Sequence, residues 1–155
     1  MKQVVILSGV PGSGKSTLAD RLIVEAGGGA IVSADHLFTG PDGYKFDPSK
    51  IGEAHQECWR RFYTALRTPV LPLVVVDNTN LTAAEIAPYV LPAEALGASV
   101  RIMRVECDLV AAFARQTHGV PEHAFLRMAD LWRKPDFVPW WTVERVDGQR
   151  ALAPA

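Results

Sequence analysis

Gly9-Val10-Pro11-Gly12-Ser13-Gly14-Lys15-Ser16-Thr17 reads G-x-x-x-x-G-K-S, the P-loop pattern, and its meaning depends on its setting. Before it runs Lys2-Gln3-Val4-Val5-Ile6-Leu7-Ser8, a short apolar, β-branched run of the kind that forms a buried parallel strand. After it come Leu18, Leu22 and Ile23 at helical spacing, then Gly27-Gly28-Gly29 as a stop. Strand, glycine loop and helix are the context the pattern requires.

The chemistry of such a stretch follows from its backbone. Gly12 and Gly14 lack a Cβ, so the chain turns sharply and approaches a ligand closely. Successive N–H groups, from Gly12, Ser13 and Gly14 onward, form an anion nest at a helix N-terminus, where the dipole favours phosphate. Lys15 is expected on the β- and γ-phosphates of ATP and the Ser16 hydroxyl on Mg²⁺. Thr17 adds a hydroxyl or an N–H near the α-phosphate.

Working outward, Ala30-Ile31-Val32-Ser33 is a second strand, and Asp35 follows its carboxyl end. Ligands of parallel α/β sheets bind at carboxyl ends. This strand is expected beside the loop, so Asp35 is the candidate general base toward an acceptor hydroxyl, the alternative being a helix cap. Pro41-Asp42-Gly43-Tyr44 is a turn. Asp47-Pro48 opens a helix to about Leu66, with Ile51, His55, Cys58, Phe62 and Leu66 on one face. Leu71 to Val76 is the strongest buried strand and ends at Asp77-Asn78-Thr79-Asn80. Asp77 is a candidate for Mg²⁺ or acceptor contact, against an Asx-turn. Asn80 either bonds an acceptor or closes the turn. Thr82 and Glu85 form a capping box for the next helix. Ala98 to Val105 is a further strand. Asp108 caps a helix to about Thr117, His118-Gly119-Val120-Pro121 breaks it, and helix resumes from Glu122 to Trp132. These two helices read as a lid over residues 108–134, with Arg115 the leading candidate for transition-state charge and Arg127 the lesser one, the alternative for each being a solvated helix face. His118 and His123 lack metal-ligand spacing and read as lid or surface histidines. The four tryptophans read as packing residues, base stacking being the alternative. Val143-Glu144-Arg145-Val146 before Asp147-Gly148 is a last strand and turn.

Alternation of strand and helix predicts an α/β fold: a doubly wound parallel sheet of about four or five strands with flanking helices and a helical lid, as one domain over 1–155. The chain has 155 residues, 48% hydrophobic and 21% charged, with net charge −1, so any polyanion site is a local patch. Two separated cysteines, Cys58 and Cys107, suggest neither zinc nor a disulfide framework. Met1-Lys2-Gln3 enters the first strand directly, and no apolar run reaches membrane-spanning length. A reducing, cytoplasmic setting is expected, with no membrane partner.

Five segments in order, GVPGSGKST, SADHLF, GYKFDP with EAH, VVVDNTNL and ARQTHGVPEHAFLRM, resemble the P-loop kinase domain of polynucleotide 5′-kinases and the kinase-like domain of NEDD4-binding protein 2. The resemblance spans about residues 2 to 134. The D-x-T-N-L and R-x-x-H-G-V-P segments are its most specific parts. It implies Lys15 and Ser16 on phosphates and Mg²⁺, Asp35 as general base, Asp77 on the acceptor side or the metal, and Arg115 on the donor phosphates. It further implies a nucleic-acid hydroxyl as acceptor, DNA or RNA, either a terminal 5′-hydroxyl or a hydroxymethylated base. Two positions depart from it. Viral polynucleotide kinases carry an arginine shortly after the catalytic aspartate, where this chain has His36-Leu37-Phe38. Their lid also carries a second arginine, where this chain offers His118. A small-molecule kinase of the same fold and a nucleotide-binding switch without an acceptor are the other readings.

Overall fold

The structure, a computed structural model, describes residues 1–149. Its centre is β1 (Gln3–Ser8), buried from Val4 onward. Val4 and Ile6 point to one face of the sheet, Val5 and Leu7 to the other, and both faces are covered. That is why the strand reads as continuous apolar sequence rather than as an alternation. The chain continues through the loop into α1 (Lys15–Glu25), then β2 (Ala30–Val32). After a 3₁₀ turn over Ala34–Phe38, two two-residue strands, β3 (Thr39–Gly40) and β4 (Gly43–Tyr44), form a small antiparallel hairpin. A second 3₁₀ turn leads into α2 (Ile51–Leu66). Next come β5 (Leu73–Asp77), α3 (Ala83–Ala95), β6 (Ser99–Glu106), α4 (Leu109–Arg115), α5 (Glu122–Arg133) and β7 (Val143–Asp147).

The five-stranded sheet has the order β2-β5-β1-β6-β7, and every pairing in it is parallel. One expectation is corrected here. The strand before Asp35 does not lie beside the loop strand: β5 is inserted between β1 and β2. The spacing of apolar runs determines that strands exist but not which of them pair. The expected last strand is present as β7, and the turn after it is closed by the Asp147 carboxylate accepting from the Gln149 N–H at 2.9 Å.

Two buried layers flank the sheet. On one face α2 and α3 bring Cys58, Phe62, Ile86 and Tyr89 onto Val4, Ile6, Val74 and Val76. On the other, Leu18 and Ala19 of α1 pack on Val5, Leu7, Val75 and Val105. In α2 the inward stripe is Ala54, Cys58, Phe62, Ala65 and Leu66, whereas Ile51 and His55 are exposed. The small alanines take inward positions that a search for large apolar residues passes over. Thr82 caps α3 as expected, accepting from the Glu85 N–H at 3.3 Å while its hydroxyl donates to the Glu85 carboxylate at 3.0 Å.

A third, smaller cluster ties the lid helices to the loop: Val10, Ala112 and Phe125, with Phe113, Val120 and Trp132 around them. Arg104 of β6 is buried and lies 4.0 Å over the Trp132 ring, and it donates to the Trp132 carbonyl at the end of α5. Cation–π attraction and this hydrogen bond fasten the second lid helix to the sheet. Among the described residues no helix is long and apolar enough to cross a membrane.

Candidate active site

The loop between β1 and α1 is held open by three forces. Gly12 and Gly14 have φ of +79° and +103°, a region costly for residues with a Cβ. The Ser13 N–H donates to the Val10 carbonyl at 3.2 Å, and the Gly9 N–H to the Thr79 carbonyl at 2.9 Å. α4 then lies directly on the loop: a Cβ at Gly12 would sit 2.0 Å from the Ala112 carbonyl oxygen. Gly148 closes the underside, where a Cβ would sit 2.1 Å from the Ser13 carbonyl oxygen. Gly12→Ala therefore combines left-handed strain of about 1–3 kcal/mol with a backbone collision. The expected result is a lowered Tm together with loss of nucleotide binding, measured by thermal unfolding with and without AMPPNP.

A pocket of about 490 Å³ opens above the loop. Gly12, Gly14, Lys15, Ser16 and Thr17 line its floor, and Asp35, Asp77, Arg115 and His118 its walls. Lys15 is buried and donates to the Val10 carbonyl at 2.9 Å. Burial pushes its ammonium below the usual lysine range, and the carboxylates of Asp77 and Asp35 act against that shift. The parallel register sets Asp77 opposite Leu7, so the end of β5 meets the start of the loop. There the Ser16 hydroxyl donates to the Asp77 carboxylate at 2.8 Å. Arg115, at the end of α4, donates through Nε and Nη2 to the Gly12 carbonyl at 3.2 and 3.0 Å.

Asp35 reaches the same pocket although its strand is one position removed. The Asp35 N–H is capped by the Ser33 hydroxyl at 3.2 Å, and the Ala34 N–H is bonded by the Asn78 side chain at 2.8 Å. Asn78, just past β5, thus ties the two carboxyl ends together. The Asp35 carboxylate accepts from the Tyr44 hydroxyl at 3.1 Å and pairs with His118 Nδ1 at 3.3 Å. Tyr44 and His118 stack, with ring centroids 4.1 Å apart and planes inclined by 11°. Burial, then the Asp35 charge and hydrogen bond, hold the Tyr44 phenol above its ordinary range, so it stays a donor.

Three of the residues weighed from sequence do not line the pocket. Asn80 is buried, at φ +45°, and donates to the Leu7 carbonyl at 2.7 Å, so it closes the turn and does not face an acceptor. Ser13, whose N–H is expected in the anion nest, turns it to the Val10 carbonyl at 3.2 Å, and its side chain is fully buried. Arg127 is exposed on α5, outside the pocket. Tyr44 and Asn78 were not singled out from sequence. The signal for each is its place in a quoted segment, Tyr44 in GYKFDP and Asn78 in VVVDNTNL.

Strand, glycine loop, helix and an acidic strand end around one pocket define a P-loop protein. The family model AAA_33, described as an AAA domain, matches residues 4–131, and the chain belongs to that family of kinase-like P-loop domains. It is 34% identical over 142 residues to human NEDD4-binding protein 2, a match covering 88% of this chain and 8% of that protein. The chain thus spans less than a tenth of that relative's length. Among solved structures, a sugar kinase from Janibacter sp. superposes with TM-score 0.62 at 17% identity, covering 96% of this chain and 87% of that one. The Mycobacterium tuberculosis APS kinase in complex with AMPPNP and APS superposes with TM-score 0.59 at 18% identity, covering 97% and 94%. At these identities the likeness is one of fold.

Proposed function

We propose that the protein is an ATP-dependent phosphotransferase whose acceptor is a hydroxyl group of a nucleic acid. The observation that carries this reading is the convergence, in one pocket, of the glycine loop with Lys15, the Ser16–Asp77 pair, Asp35 and Arg115. The loop amides and Lys15 grip the triphosphate. Ser16 and Asp77 offer adjoining hard oxygen ligands, which suits Mg²⁺, an ion that takes few protein ligands and completes its shell with phosphate and water. Bound there, Mg²⁺ would neutralise charge on the phosphates. Arg115, released from the Gly12 carbonyl, has its donors beside the same phosphates.

The acceptor hydroxyl oxygen forms a bond to the γ-phosphorus as the bond from that phosphorus to the β-bridging oxygen breaks. ADP leaves, and the hydroxyl proton passes to the Asp35 carboxylate. The lid keeps water from competing for the phosphoryl group. A nucleic-acid acceptor is supported by the D-x-T-N-L and R-x-x-H-G-V-P segments. A small-molecule hydroxyl is favoured by one feature, the lack of an arginine in His36-Leu37-Phe38 to hold an acceptor phosphate. Labelled ATP offered with 5′-hydroxyl DNA, 5′-hydroxyl RNA, hydroxymethyl-base DNA and common metabolites is expected to label a nucleic acid. Rising salt is expected to weaken that reaction steeply. Label on a metabolite alone, insensitive to salt, would overturn the acceptor class.

A further inference from the structure

Asp35 is held from two separate elements, the β3–β4 hairpin through Tyr44 and the lid segment through His118. We propose that Tyr44 and His118 are positioning residues that orient the Asp35 carboxylate for the acceptor, and that His118 ties this orientation to closure of the lid. The proposal rests on the phosphotransfer reading above and deepens it.

The geometry supports this division of labour. The Tyr44 hydroxyl addresses Oδ1 at 3.1 Å and His118 Nδ1 addresses Oδ2 at 3.3 Å, so the carboxylate is gripped on both oxygens and cannot rotate freely. Each oxygen keeps a further lone pair for an incoming hydroxyl. For Nδ1 to donate, the neutral ring must carry its proton there, and the carboxylate selects that tautomer. The Tyr44 ring, stacked at 4.1 Å, fixes the imidazole plane. The backbone that carries His118 is itself braced. The Gln116 side chain donates to the Val120 carbonyl and accepts from the Val120 N–H, both at 2.9 Å, and so closes a loop around residue 118.

Three residues before His118, Arg115 touches the donor loop at Gly12. One short segment therefore contacts the phosphate cradle at one end and the base at the other. When that segment lifts, the cradle loses Arg115 and Asp35 loses one of its two side-chain donors. Acceptor chemistry is thereby confined to the closed state, where water has been excluded.

Three variants at residue 118 separate positioning from packing or direct proton transfer. The amide nitrogen of His118→Asn falls near the place of Nδ1, that of His118→Gln near Nε2, and His118→Ala has neither. The readouts are the His118 tautomer, by long-range ¹H–¹⁵N correlation on the full chain, and steady-state transfer from ATP to a 5′-hydroxyl oligodeoxynucleotide. Expected are the Nδ1–H tautomer, kcat within about threefold of wild type for His118→Asn, and kcat lower by about tenfold for His118→Gln and His118→Ala. Tyr44→Phe, which keeps the ring stack, is expected to lower kcat by a similar factor, with KM for ATP unchanged throughout. An Nε2–H tautomer, equal loss in the Asn and Gln variants, or a loss seen only in KM for ATP would overturn the proposal. Should the oligonucleotide accept nothing while ATP is hydrolysed, a DNA 5′-hydroxyl is excluded as the acceptor, and the same ratios measured on hydrolysis decide the role of His118. A wild type that turns over no ATP at all overturns both.

Discussion

Lys15→Ala is expected to lower phosphoryl transfer by about a thousandfold or more, because it removes the cation that meets the β- and γ-phosphates in a water-poor site. Lys15 is buried, and among the described residues its side-chain hydrogen bond goes to the Val10 carbonyl, internal to the loop. A ligand phosphate can replace that carbonyl as the partner, and an alanine cannot answer either. The folded chain loses little else, since burial already depresses this ammonium and its charge is not what holds the sheet together. Thermal unfolding alongside the transfer assay separates loss of chemistry from loss of fold. Transfer that persists in a folded Lys15→Ala protein would remove the loop from the mechanism.

The second large effect is expected at Asp35. Asp35→Ala should lower kcat by about 10²–10⁴-fold, the usual contribution of a positioned general base. It should leave the affinity for AMPPNP and Mg²⁺ close to wild type, because Lys15, Ser16 and Asp77 are untouched. Calorimetric titration with AMPPNP and transfer of labelled phosphate measure the two quantities separately. A fall in nucleotide affinity equal to the fall in kcat would reassign Asp35 to the donor side. The two variants therefore test the proposed division of the pocket, with Lys15 on the donor and Asp35 on the acceptor.

The ease with which these roles are read from sequence varies with the distance over which each is determined. Gly12 to Ser16 declare themselves because a strand, a turn and a helix start must follow one another locally, and residues of restricted type fill each place. Asp77 is nearly as legible, since it ends an apolar run that only a doubly covered strand explains. Asp35 was found for a partly mistaken reason. It lies at a carboxyl end, but the strand before it pairs with β5 and not with β1, and Asn78 draws it back toward the loop. Asn80 follows the second of its two readings, closing the turn, because its side chain answers a distant carbonyl, that of Leu7. Tyr44 and His118 lie 74 residues apart in sequence and meet only through the packing of residue 118's segment against the hairpin. No local periodicity encodes such a meeting. Arg115 and Arg127 look alike in sequence, and the packing of α4 against Gly12 distinguishes them.

The position of β1 at the middle of the sheet has a consequence for how this molecule is made. The strand that leads into the phosphate cradle pairs with two strands, Leu73–Asp77 and Ser99–Glu106, that lie far along the chain from it. The cradle's underside is finished only by Gly148. The apolar residues of β1, Val4 to Leu7, are covered only when these distant strands pair with it, which favours slow, non-local assembly. A formed phosphate cradle therefore requires strands from distant parts of the chain to be in place on both sides of β1.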